Sequence, residues 1–74
     1  MIVYPVVEIF QGRPGQVIPC ATQRLANGTF KNCVRENNDE LSEEDLSLAV
    51  DEGCYSDGYG YEVFLVGPCD VEGA

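Results

Sequence analysis

Apolar and β-branched side chains dominate residues 2–10, IVYPVVEIF, and this run predicts a first strand. Pro5 has no amide to donate, so it places that strand at a sheet edge or interrupts it. Pro14-Gly15 suits the two central positions of a type II turn. Residues 16–25, QVIPCATQRL, predict a second strand. Val17, Pro19, Ala21, Gln23 and Leu25 share one face, and Ile18, Cys20, Thr22 and Arg24 the other. Asn27-Gly28 is the strongest short-range hairpin signal in the chain and predicts a turn into a third strand over 29–35, TFKNCVR.

The period then changes. Leu46, Ala49 and Val50 follow the i, i+3, i+4 spacing of a helical stripe. Ser42 is a suitable N-cap, Asp45 stands at the capping-box position, and Leu41 and Leu46 are spaced for a hydrophobic staple. Gly53 supplies a left-handed stop, so a helix is predicted over 42–52. A helix of about 11 residues is marginal alone in water and needs a surface to pack on. After a turn-forming loop over 55–60, the run YEVFLV at 61–66 predicts a last strand with few polar breaks, central in its sheet. Gly67-Pro68 ends it, and the residues from Asp70 to Ala74 read as a loose tail.

The order β-β-β-α-β implies one α+β domain over residues 1–74: a small, mostly antiparallel sheet with one helix packed on it. A flattened barrel or sandwich with the helix at one side is the alternative. A chain of 74 residues has a thin core, and small scaffolds usually need cross-links. Cys20, Cys33, Cys54 and Cys69 are the candidates for two disulfides. Local pairing, Cys20 with Cys33 and Cys54 with Cys69, is the preferred connectivity, and a Cys33–Cys54 link is its rival. Disulfides imply an oxidising compartment and hence an extracellular, secreted protein. The start Met1-Ile2-Val3-Tyr4 lacks a basic, apolar leader, so the expectation is a mature form with Met1 added for expression. No run approaches the length needed to insert in a membrane.

Charge divides the chain. Residues 1–35 carry all four basic side chains and Glu8, a net +3, whereas residues 36–74 carry −12, giving −9 in total. Such a chain is repelled by nucleic acid and anionic lipid, and its acidic half suits a cationic partner. Asp51 and Glu52 stand at the negative end of the predicted helix dipole, an unfavourable position unless they are paired. Arg24, Lys31 and Arg35 are the available cations; if Asp51 and Glu52 stay free, they offer an acidic binding face.

There is no histidine, so triads and dyads that use one are excluded. With no walled cleft expected in so short a chain, an enzyme is not indicated. The absence of histidine and of any CxxC pair argues against zinc. The acids and glycines of 51–58 miss the EF-hand ligand pattern, so no metal and no cofactor are expected. The loop from Tyr55 to Tyr61 has the composition of an adaptable recognition surface, tyrosines among glycine, serine and aspartate. Tyr55, Asp57 and Tyr59, with Asp51 and Glu52, are the candidate binding residues; Tyr59 is the expected exposed ring and Tyr61 the expected core ring. Arg13, in a Gly- and Pro-flanked turn, is a candidate presented side chain of the protease-inhibitor kind, although Pro14 follows it directly. Asn27-Gly28-Thr29 is an N-glycosylation sequon, consistent with a secreted glycoprotein.

Cys20, Cys33, Cys54 and Cys69, spread over an acidic single domain, resemble the framework of the small secreted cysteine-rich proteins of filamentous fungi. That resemblance implies an effector or elicitor that binds a host or cell-surface partner. The same size and cysteine number are also similar to small microbial hydrolase inhibitors of the tendamistat kind, which implies an inhibitor of a secreted protease or amylase; the helix and the cysteine spacing depart from that all-β pattern.

Overall fold

In a computed structural model describing residues 1–71, the chain forms six strands and two helices: β1 (Ile2–Val3), β2 (Val6–Phe10), β3 (Arg13–Ile18), α1 (Gln23–Asn37), α2 (Glu43–Glu52), β4 (Cys54–Ser56), β5 (Tyr61–Leu65) and β6 (Cys69–Asp70). The class is α+β with antiparallel pairing, and the order differs from the sequence reading. Two hairpins, β2–β3 and β4–β5, join through their inner strands to give a four-stranded sheet in the order β3-β2-β5-β4. β5 is central, next to β2. β1 and β6 form a separate two-stranded ladder, so Asp70 belongs to a strand and not to a tail, and residues 72–74 of that expected tail lie outside those described. Among the described residues no barrel or sandwich forms.

The first strand breaks at Tyr4-Pro5, as the missing proline donor requires. Pro5 still contributes its carbonyl, which accepts from Val66 N at 3.0 Å. The hairpin turn is Gln11-Gly12, both at positive φ (54° and 76°), as a two-residue type I′ turn needs, and not Pro14-Gly15. Pro14 and Gly15 lie in β3, beside a bulge where the register shifts between Val7 and Ile9.

The larger correction is α1. Residues expected as the end of the second strand, a hairpin at Asn27-Gly28 and a third strand form one helix. Thr22 caps it, its hydroxyl accepting from Leu25 N at 3.1 Å. Its buried residues Ala26, Phe30, Cys33 and Val34 stand at i, i+4, i+7 and i+8, a helical stripe rather than a strand face. A glycine inside a helix costs about 1 kcal/mol relative to alanine. Burying side chains such as Phe30 and Val34 contributes about 1.5–3 kcal/mol each, so the stripe outweighs the Asn-Gly turn preference. The Asn27 sequon therefore stands on a helix and not at a hairpin tip.

The second helix follows its sequence signals. Ser42 caps it, accepting from Asp45 N at 3.2 Å, and Gly53 ends it at φ 77°. Both helices cover one face of the sheet, and a single cluster forms from Val6 and Val63 below and Ala26, Phe30, Val34, Leu46 and Ala49 above. None of the described helices is long and apolar enough to cross a membrane.

All four cysteines are thiols. Neither the local pairing nor the Cys33–Cys54 link is formed. Cys20 and Cys33 instead pack in the core, where a thiol behaves as a small hydrophobe, while Cys54 is exposed and Cys69 half-buried. Cohesion comes from the packed cluster. A thiol reductant is therefore expected to leave the melting temperature unchanged within about 1 °C, because no cross-link is present to constrain the unfolded chain. In the same protein a maleimide should label Cys54 first and Cys33 only on unfolding; a reductant-sensitive melt or uniform labelling contradicts this arrangement.

Candidate functional site

The segment from Tyr55 to Tyr61 joins β4 to β5 and is held by its own aspartate. Asp57 Oδ1 accepts from Tyr59 N at 2.6 Å and from Tyr61 N at 3.1 Å. Its other oxygen accepts from Asn37 Nδ2, at the end of α1, at 3.0 Å. Asn37, then the backbone amides, hold the Asp57 carboxyl below its ordinary range. Ser56 Oγ accepts from Gly58 N at 3.3 Å.

A second clamp comes from the β2–β3 turn. Gln11 N donates to Gly60 O at 2.7 Å and Gln11 Nε2 to Tyr59 O at 3.0 Å. Gly60 has φ 104°, and a Cβ there would meet Gln11 Nε2 at 2.4 Å, so only glycine allows this approach. The loop is thus tied to α1 on one side and to a hairpin turn on the other. Tyr59, at its tip, is 86% exposed. Tyr61, at its end, is buried on the core face.

The candidate binding residues separate into distinct places. Tyr59 is presented to solvent, whereas Tyr55 is half-buried and packs against the core cluster. Asp57 spends its oxygens on the loop itself, so it positions the site and is not a free contact. Asp51 and Glu52 are exposed on α2 and take part in no ion pair among the described residues. Arg35 pairs with Glu43, linking the end of α1 to the start of α2, and the Met1 amino group pairs with Asp70 at 3.2 Å, so the described ion pairs between the two halves lie away from Asp51 and Glu52. Arg13 opens β3 directly after the Gln11-Gly12 turn, its backbone paired with Phe10 and its side chain exposed.

One titratable cluster escapes the sequence reading. Glu8 lies on the core face of β2, where Tyr61 Oη donates to its Oε2 at 2.6 Å. Burial first, then the Glu8 carboxylate, push the Cys33 thiol up to about 11, and the same two causes raise the Tyr61 phenol. The signal was in the alternation of VVEIF, which puts Glu8 on the same face as Val6. Among the described residues no group of three or more cysteine, aspartate and glutamate side chains converges as a metal site. No protein-family model, curated protein or solved structure matches this chain.

Proposed function

We propose that this chain is a binding module that recognises a protein partner through the loop from Tyr55 to Tyr61, with Tyr59 as its anchor. The observation that carries the reading is a large ring left in solvent on a backbone held from three directions: by Asp57, by Asn37 and by Gln11. A tyrosine offers wide amphipathic contact area at low side-chain entropy cost, and a backbone already ordered adds little further cost on binding.

The wider reading, a secreted effector acting on a host or cell-surface partner, rests on the cysteine number. With four thiols in place of two disulfides, the support is confined to binding as such. The alternative, inhibition of a secreted hydrolase, rested on size and cysteine number with Arg13 as a candidate presented side chain, and no particular observation favours it.

Partner capture by the wild-type protein and by Tyr59→Ala, side by side, tests the proposal. Truncating an anchor ring is expected to weaken capture about 10-fold or more, which is the scale of an interface hot spot. The melting temperature should stay within about 2 °C, because the ring touches little of its own chain. Equal capture by both proteins would place the site elsewhere.

A further inference from the structure

A second surface lies along the free edge of the sheet. β4 is the last strand, and its three residues pair with β5 on one side only. Leu65 N donates to Gly53 O and Asp57 N to Tyr61 O, so the alternation of an antiparallel ladder also turns Tyr55 toward β5. By the same alternation the N–H and C=O groups of Cys54 and Ser56 point away from the sheet. Among the described residues no backbone bond joins them to another element. A row of unpaired strand groups is a ready template for another strand.

Around that edge runs an open groove of about 690 Å³, lined by α2 on one side and by the outer face of β5 on the other. Leu41, Leu48, Tyr55 and Phe64 make its apolar lining. Leu48 is 59% exposed, although it stands on a helix whose apolar stripe is otherwise turned inward. Asp45, Glu52 and Glu62 contribute carboxylates to the same groove, and none of them forms an ion pair among the described residues. These three features select one occupant. The free edge calls for an extended backbone, the lining for an apolar side chain, and the unpaired carboxylates for flanking cations.

We propose that this groove receives an extended, basic and apolar segment of a partner protein, which adds to the sheet as a strand beyond β4. Its main chain bonds to Cys54 and Ser56, an apolar side chain enters between Leu41, Leu48 and Tyr55, and its lysines or arginines meet Asp45, Glu52 and Glu62. The surface is separate from the exposed Tyr59 ring, and the proposal does not depend on that ring.

The probe is a short fluorescent peptide alternating leucine and lysine, followed by anisotropy with the full chain. A second peptide of the same sequence carries N-methyl groups on alternate amides, which removes edge-facing donors and keeps the charge. The methylated peptide is expected to bind at least about 10-fold more weakly, on the scale of one or two main-chain hydrogen bonds. Leu48→Ala should weaken the unmethylated peptide about 5–10-fold, the scale of losing an apolar contact. Ser56→Pro removes an outward N–H that the β4–β5 ladder does not use and that would donate to a peptide carbonyl, so it should weaken both peptides while Ser56→Ala weakens neither. Equal binding of both peptides to the wild-type chain overturns the proposal, and so does an affinity that follows peptide charge alone. The peptide comparison uses only the wild-type chain, so it decides the matter even where a variant fails to fold. Tyr59→Ala should leave peptide binding unchanged, which separates this surface from the Tyr59 ring.

Discussion

Replacing Phe30 with alanine is expected to remove about 3–5 kcal/mol of stability, the range for emptying a fully buried aromatic site. Phe30 is the largest of the fully buried side chains, and α1 carries it to where that helix meets β5, α2 and β2. A cavity there opens among four elements that have no cross-link to hold them. At roughly 0.05–0.15 kcal/mol per residue, a chain of 74 residues has a margin of only about 4–11 kcal/mol. The substitution thus consumes much of it, and the melting temperature should fall by roughly 15–30 °C. Leu25→Ala on the same helix is the control, since Leu25 is exposed and should change stability by no more than about 0.5 kcal/mol. Similar melts for both variants would mean that α1 does not pack through the Ala26, Phe30, Cys33 and Val34 face.

Tyr61→Phe is expected to cost about 1.5–3 kcal/mol, although it removes a single oxygen. That oxygen donates to Glu8 Oε2 at 2.6 Å, on the buried side of the sheet. Without it the Glu8 carboxylate keeps its desolvation cost and loses its donor. Removing both partners, as in Glu8→Leu with Tyr61→Phe, should cost less than the two single changes together, because no unpaired group is left behind. A double-mutant cycle by chemical denaturation reads this coupling directly, and additive losses would contradict the bond. The alkaline limb carries the same information. Cys33 and Tyr61 hold their protons more tightly folded than unfolded, so their contribution is fully present below the ordinary thiol value near 9.0. It is lost as the pH rises through the Cys33 value of about 11.

The sequence was most informative where one short stretch carried several agreeing signals. Ser42, Asp45, Leu46 and Gly53 each specify part of α2, and the helix forms where they place it. Tyr61, Val63 and Leu65 alternate inward from a central strand that pairs on both sides. α1 was hidden because its strongest local signal, Asn27-Gly28, belongs to a different structure from the one its buried stripe selects. Ala26, Phe30, Cys33 and Val34 reveal their common face only at the 3.6-residue period, and it is long-range packing that makes that period win. Once those residues become helix, the three-strand start dissolves, Cys20 and Cys33 turn into core thiols, and the strand order changes with them.

The site was legible in composition but not in its internal division. Tyrosine, glycine and aspartate between 55 and 61 mark an ordered loop, yet nothing local says that Asp57 faces its own backbone or that Gln11 reaches across from another hairpin. The Gln11 bond spans a sequence separation of 48 that only the folded sheet closes, whereas the Asp57 bonds are local turns, reaching two and four residues on. The groove beside β4 likewise draws its lining from α2, β4 and β5, which only the fold brings together.

The central proposal is that Tyr59 anchors a partner on the loop between β4 and β5. Site-specific photocrosslinking tests it most directly, with a benzophenone side chain at position 59 and, as control, at the exposed position 25 on α1. The account expects one discrete adduct from position 59, none from position 25, and loss of that adduct when unlabelled wild-type protein competes but not when Tyr59→Ala does. The same adducts from both positions, or equal competition by Tyr59→Ala, would contradict it.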